Sequence, residues 1–289
     1  MSLWKEFLHP QTVQEAVDAL ASAPSPAIPI AGGTDLMLDL QQGHHAPVHT
    51  LVDLTGIAEL CQLEIRGEKL FIGAGMPHNR IVESALVQTH AQALVESCGL
   101  IGGPQVRNMA TLGGNVAHAL PAADGTIGLL ALEAEAEIAS PQARRRVPLQ
   151  EIFAGPGKST LGPAEILVGF YLPLKKAHQG SAFYRVMRAQ GIALPILNLA
   201  AWLERDGNGI TEARISVGPA GPTPFRALKT EAGLKGRHFS PETIAQAQET
   251  LLAEAVFRTS PARATAEYRR ELVVVLLKNA LTTAFQRAA

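Results

Sequence analysis

Thr111-Leu112-Gly113-Gly114-Asn115, running on through Val116-Ala117-His118-Ala119-Leu120-Pro121-Ala122-Ala123 to Asp124, interrupts a region of apolar helical pattern. Two adjacent glycines permit positive φ and remove the Cβ atoms that would hold a ligand away. Thr111 before them and Asn115 after them add short hydrogen-bonding side chains. The stretch reads as a loop rather than a helix or central strand, with successive N–H groups converging on a concavity suited to phosphate. Ala31-Gly32-Gly33-Thr34-Asp35-Leu36 repeats the recipe directly after the apolar run Ala27-Ile28-Pro29-Ile30. One Gly-Gly pair is ordinary turn chemistry. Two in the same half of the chain point to a ligand with two phosphates, gripped from two sides.

With 289 residues the chain has room for two or three lobes. A hydrophobic content of 47 % against 18 % charged residues indicates a folded protein with ample core. The net charge of −1 gives no electrostatic reason to expect nucleic acid or an anionic membrane surface. The longest apolar runs, such as 272–277, are far too short for a bilayer span. Met1-Ser2-Leu3-Trp4-Lys5-Glu6 lacks a basic region followed by an apolar core, so no secretion signal is expected. Cys61 and Cys98 are too few for a disulfide framework or a thiolate cluster. A cytoplasmic protein is the expectation, with periplasmic delivery through an exported partner as the other route.

Residues 10–23 have the spacing of an amphipathic helix, with Val13, Ala16, Val17 and Leu20 on one stripe. Residues 27–30 and 49–54 read as strands, with a helical turn between them at Leu36, Met37 and Leu40. A hairpin follows over 63–65 and 69–73. Helical pattern returns over 79–86 and 91–97, is broken by Gly102-Gly103-Pro104, and resumes over 126–132. Residues 134–139 and 165–172 read as extended, and 152–157 as loop. The polar break over 175–180 is the expected domain boundary. Beyond it come three strands over 181–187, 196–204 and 210–217, the last two joined by Asp206-Gly207-Asn208-Gly209. Helices over 240–255 and 265–288 complete a sheet with helices on one side.

Other motifs fail on inspection. Gly73-Ala74-Gly75 opens like a dinucleotide fingerprint, but its third glycine would fall at His78 and Pro77 spoils the helix start. Gly157-Lys158-Ser159 lacks the earlier glycine of a phosphate loop, which would fall at Ile152. His44, His45 and His49 have no cysteine or suitably spaced carboxylate beside them and read as a solvated loop, not a metal site. No catalytic nucleophile or acid–base dyad emerges, so the chemistry must come from a bound cofactor.

The pair 30–36 and 107–115, followed by Pro121-Ala122-Ala123-Asp124, resembles the FAD-binding medium subunit of molybdenum hydroxylases, the xanthine dehydrogenase and carbon monoxide dehydrogenase group. Pro163-Ala164-Glu165-Ile166-Leu167-Val168 is similar to a strand of that family, and Ser181-Ala182-Phe183-Tyr184-Arg185 to its next strand. Residues 210–226, with Gly218, Pro219 and Pro224, resemble the start of its C-terminal domain. The likeness covers nearly the whole chain.

The resemblance implies an α+β protein. A two-lobed FAD-binding domain of the vanillyl-alcohol-oxidase/PCMH type would span 1–175, with lobes of about 1–57 and 58–175. A smaller α+β domain of the CO-dehydrogenase-flavoprotein type would span 180–289. Non-covalent FAD would be cradled by Ala31, Gly32, Gly33, Thr34, Asp35 and Leu36 on one side, and by Thr111, Gly113, Gly114 and Asn115 on the other. Asp124 would hydrogen-bond the adenosine side. Leu167 or Val168 would pack along the cofactor by main-chain contact, and Arg185, preferred to Tyr184, would supply a basic contact. Ile101 stands where some relatives carry an aromatic residue beside the flavin, and Gly191 replaces an acidic residue and carries no role. Bland readings stand beside these: Asp35 as a loop cap, Asp124 as an N-cap, and Arg107, Arg185 and Arg188 in surface pairs.

The implied function is an electron relay within a heterotrimer, with a dimer of heterotrimers as the higher-order form. A large molybdenum-cofactor subunit would oxidise the substrate and a small [2Fe-2S] subunit would pass electrons through FAD to NAD+, oxygen or another acceptor. Two cysteines cannot hold a four-cysteine cluster, so the iron–sulfur centres belong to a partner. The competing readings are a free-standing FAD oxidase and a nucleotide-binding assembly module without redox role.

Overall fold

The computed structural model describes residues 2–188 and 194–289; Gly191 therefore lies outside the described residues. The first lobe holds β1 (Glu6–Leu8), α1 (Val13–Ser22), β2 (Ala27–Ile30), α2 (Leu36–Gln42) and β3 (Thr50–Asp53). Its strands form a parallel sheet in the order β1-β3-β2. Helix α1 starts at Thr12, whose hydroxyl accepts the Glu15 N–H, and buries Val13, Ala16, Val17 and Leu20. The expected stripe is the buried one.

The second lobe continues with β4 (Leu63–Arg66), β5 (Lys69–Gly73), α3 (His78–Glu83), α4 (Ala85–His90), α5 (Gln92–Gly99), α6 (Pro104–Met109), α7 (Leu112–Ala117) and α8 (Asp124–Ala131). Then come β6 (Glu135–Ala139), β7 (Arg144–Pro148), β8 (Phe153–Gly155), β9 (Lys158–Ser159) and β10 (Ile166–Pro173). An antiparallel sheet runs β4-β5-β10-β6-β7. Strand β10 sits at its centre and is buried along nearly its whole length, because Val168 and Tyr171 face the core under α1 while Leu167, Phe170 and Leu172 face the core under the helices.

The last part contains β11 (Gln179–Met187), β12 (Pro195–Asp206), β13 (Gly209–Gly218), β14 (Phe225–Arg226), α9 (Leu228–Leu234), α10 (Pro241–Glu254) and α11 (Ala266–Arg287). Its strands form an antiparallel sheet in sequence order. Alternate residues of β12 take opposite sides: Leu197, Leu199, Ala201 and Leu203 pack with α11, whereas Ala200 and Trp202 join the core of the second lobe. This sheet is therefore covered on both faces, one by its own helices and the other by α5 and α8.

Three local expectations are corrected. The Gly113-Gly114 segment is the first turn of helix α7 rather than a loop. The helix expected over 79–86 is divided at Ser84, which ends α3 and caps α4 by accepting the Val87 N–H. The loop expected over 152–157 pairs with 158–159 as the hairpin β8–β9. Among the described residues no helix is long and apolar enough to cross a membrane.

Candidate functional site

The two glycine turns meet. A Cβ built on Gly32 would lie 2.0 Å from the Met109 carbonyl oxygen, so only glycine lets the first turn rest on the α6–α7 junction. Gly33 follows at φ +66, a left-handed conformation that a side chain would strain. The backbone thus leaves β2, turns, and enters α2 with its amides exposed. Among the described residues, none accepts a hydrogen bond from the N–H groups of Gly32, Gly33, Thr34, Asp35 or Leu36. Asp35 sits at the N-cap position of α2 but makes no capping bond. Its carboxylate instead faces His118 Nδ1 at 3.3 Å, across the gap to the end of α7.

The second turn is built differently. The Leu112 N–H donates to the Met76 carbonyl at 3.0 Å and the Gly113 N–H to the Ala74 carbonyl at 2.7 Å. Thr111 caps the helix, its hydroxyl accepting the Gly114 N–H at 3.1 Å, while the Asn115 N–H donates to the Thr111 carbonyl. The N–H groups of Leu112, Gly113, Gly114 and Asn115, expected to form a second phosphate nest, are thus engaged within the protein. What this turn offers is an exposed surface at Gly114, where a Cβ would meet only the Thr111 hydroxyl. Asn115 looks inward, its Oδ1 accepting the Thr126 N–H at the start of α8.

Asp124 opens α8, and the structure joins it to Arg185. Both side chains are 4 % exposed and Arg185 Nη1 lies 2.6 Å from Asp124 Oδ2. Asn198 Nδ2 donates to the other carboxylate oxygen at 2.6 Å and to the Ala122 carbonyl at 3.0 Å. Burial pushes the Asp124 carboxyl up to about 6, against the opposing pull of Arg185 and Asn198. Leu167 and Val168 are buried on opposite faces of β10, and the Val168 carbonyl accepts the Ala74 N–H. Ile101 is half-buried, in a loop whose carbonyls at 101 and 102 both accept hydrogen bonds from Arg107 Nη1 at 3.0 Å.

Sequence reasoning assigned no role to His78, His118 or Asn198 and left Arg107 on the surface. His78 is 1 % exposed, and its N–H donates to the Ala110 carbonyl behind the junction of the two turns. Burial, reinforced by the Arg107 charge, holds its imidazole at about 4, so it stays neutral. The one sequence signal for it is its place directly after Pro77, at a helix start.

The family model for the FAD binding domain in molybdopterin dehydrogenase matches residues 4–175, and that for the CO dehydrogenase flavoprotein C-terminal domain matches 182–284. The chain belongs to this family, the FAD-binding medium subunits of molybdenum hydroxylases. It is 32 % identical over 279 residues to the xanthine dehydrogenase FAD-binding subunit of Escherichia coli O157:H7, covering 96 % of this chain and 94 % of that one. It is 30 % identical over 287 residues to the carbon monoxide dehydrogenase medium chain of Hydrogenophaga pseudoflava, covering 98 % of each. A chain of the solved carbon monoxide dehydrogenase from that organism superposes with a TM-score of 0.94 at 30 % identity, over 99 % of this chain and 98 % of the other. A chain of quinoline 2-oxidoreductase from Pseudomonas putida 86 gives 0.90 at 27 % identity, over 98 % of each. In this medium subunit no group of three or more histidines, cysteines or acids is placed to hold a metal among the described residues. Cys61 is exposed and Cys98 buried, and both are free.

Proposed function

We propose that this chain binds FAD non-covalently and is the electron-relay subunit of a molybdenum hydroxylase. The observation that carries the reading is the row of partnerless amides from Gly32 to Leu36, held open by a glycine that leaves no room for a methyl group. Five N–H donors on one turn suit a pyrophosphate, which needs several donors and no bulk. The open face at Gly114 gives the cofactor a surface to lie on, with Thr111, Gly113 and Asn115 fixing that turn from behind. Bound FAD exchanges electrons singly or in pairs, which suits a place between one-electron clusters and a two-electron acceptor such as NAD+ or oxygen. This chain supplies neither clusters nor molybdenum, so a small [2Fe-2S] subunit and a large molybdenum-cofactor subunit complete the unit, which a dimer of such heterotrimers can double.

The remaining roles follow from placement. Arg107 holds the 101–102 carbonyls, and so sets Ile101 beside the cofactor. Asp124 and Arg185 close the adenosine side as a buried pair. Leu167 and Val168 act as the floor beneath Ala74, against which Gly113 is seated. The division we propose places FAD binding in 1–175, lobes included, and the smaller domain in 180–289, which the family matches over 4–175 and 182–284 support. Cytoplasmic residence fits a complex assembled before any export.

The test is the absorbance spectrum of the purified protein before and after Gly114→Asp. A carboxylate on that face opposes the pyrophosphate charge and leaves the fold otherwise in place. Flavin bands near one per chain in the parent, absent in a folded variant, are the expected result. A folded parent that takes up no FAD when supplied with it overturns the reading.

A further inference from the structure

Arg269 lies in the first turn of α11, and its side chain is 1 % exposed. Its Nη1 donates to the Arg258 carbonyl at 2.9 Å, while its buried Nε finds no acceptor among the described residues. The charged neighbours that act on it are Arg258 and Arg263, both positive. Arg188, just beyond β11, reaches the same segment, its Nη2 donating to the Arg263 carbonyl at 3.5 Å. Arg269 and Arg188 thus both donate to carbonyls of the 258–263 segment, which itself carries Arg258 and Arg263.

None of them has an acidic partner among the described residues. The contrast with Arg185, Arg214, Arg226 and Arg287 is sharp, because each of those is paired with a carboxylate. Glu267 is the one acid between 256 and 270; it is exposed and pairs with none of the four. The residues outside the description contain no acid either. Burying a guanidinium among like charges is costly unless an anion is present to be shared. The positive end of a 22-residue helix adds to the same field.

We propose that Arg188, Arg258, Arg263 and Arg269 form an anion-binding bowl, separate from the Gly32 turn, that takes the phosphate or pyrophosphate group of a small molecule. Guanidinium forks match phosphate oxygens two at a time, and several positive charges call for more than a single carboxylate would return. Arg188 directly follows the last residue of β11, three residues beyond Arg185 and roughly 10 Å away at the usual rise. The bowl thus lies at the same end of the last sheet as the Asp124–Arg185 pair.

The test is calorimetric titration of the purified protein, with whatever flavin it carries, using inorganic pyrophosphate in low-salt buffer free of other multivalent anions. Saturable binding at one per chain is expected. Arg263→Gln should raise the dissociation constant about tenfold, and Arg258→Gln with Arg263→Gln by more, with flavin content and melting temperature little changed. Both positions are solvent-accessible, and the melting temperature checks that the variants stay folded. A parallel titration with ADP separates the sources: tighter binding than pyrophosphate identifies a nucleotide, equal or weaker binding a free phosphate. No saturable binding, or binding indifferent to the double substitution, overturns the proposal.

Discussion

His118 and Asp35 tie the first glycine turn to the end of α7 with a single contact whose strength depends on pH. The hydrogen bond that His118 donates to Asp35 raises His118 above its ordinary 6.5, and the same bond lowers Asp35 below 3.8. A histidine raised in the folded state stabilises fully below 6.5 and loses that contribution as pH climbs through its folded value. A carboxylate lowered in the folded state stabilises above 3.8 and loses it as pH falls through its folded value. The contact is thus complete near pH 5 and is lost as pH rises through the raised His118 value. His118→Gln should lower the urea midpoint at pH 5 and lower it less at a pH above that value. Because both groups reach solvent, the difference should be about 0.5 kcal/mol or less. Equal midpoint shifts at the two pH values would exclude the ion pair. At this scale the sequence was partly legible. The glycine pairs were read as two like turns, but their backbones differ: one turn presents amides and the other consumes its own. His78 and Asn198 were not legible, because each acts on residues far from it in the chain, and single-residue identity says nothing about such partners; Arg107 acts on nearby carbonyls, but only the loop's turn brings them within its reach.

Helix α7 shows why a Gly-Gly pair can still be helical. Its six residues are held by a threonine cap at one end and by the 74–76 backbone along its side, so tertiary bonds replace the missing propensity. Thr111→Ala removes that cap and should cost about 1 kcal/mol, read as a lower urea midpoint. It should also weaken flavin retention, because the Gly114 face moves when the first turn frays; unchanged retention at reduced stability would separate the cap from the site. The elements that sequence patterning found were those with a one-sided stripe or clear alternation, such as β2, β5, α1, α10 and α11. Those it missed lack such a signal. Helix α6 buries no residue, so no stripe exists to be read. Strand β7 begins with three consecutive arginines at the sheet edge and is exposed along most of its length.

The seam between the last sheet and the helices of the second lobe is where the molecule becomes one body. Besides the Asp124 cluster, the Ser216 hydroxyl donates to the Ile127 carbonyl, the Phe183 N–H to Glu96, and Arg287 pairs with Glu96. Asp124→Asn leaves Arg185 buried without its counter-charge and should cost about 3–5 kcal/mol, seen as a large fall in melting temperature. Adding Arg185→Met should recover much of that loss, since an apolar pair avoids the desolvation of both charges. Failure of the second change to recover stability would mean that Arg185 has a separate structural duty. The polar break over 175–180 is the sequence signal for the proposed division, but the two-sided burial of β12 has no such signal. Its nearly continuous apolar run fits a strand covered on both faces, and nothing in that run says that the second cover comes from the other part of the chain.

That seam also fixes an order of events during synthesis. Asp124 leaves the ribosome more than sixty residues ahead of Arg185 and still earlier than Asn198 and Ser216. Until those strands emerge, the nascent first half holds a raw carboxylate and an uncovered α8, and its glycine turns stand on an unfinished wall. On the proposed FAD reading, the cofactor then loads onto a nearly complete polypeptide rather than onto the growing chain.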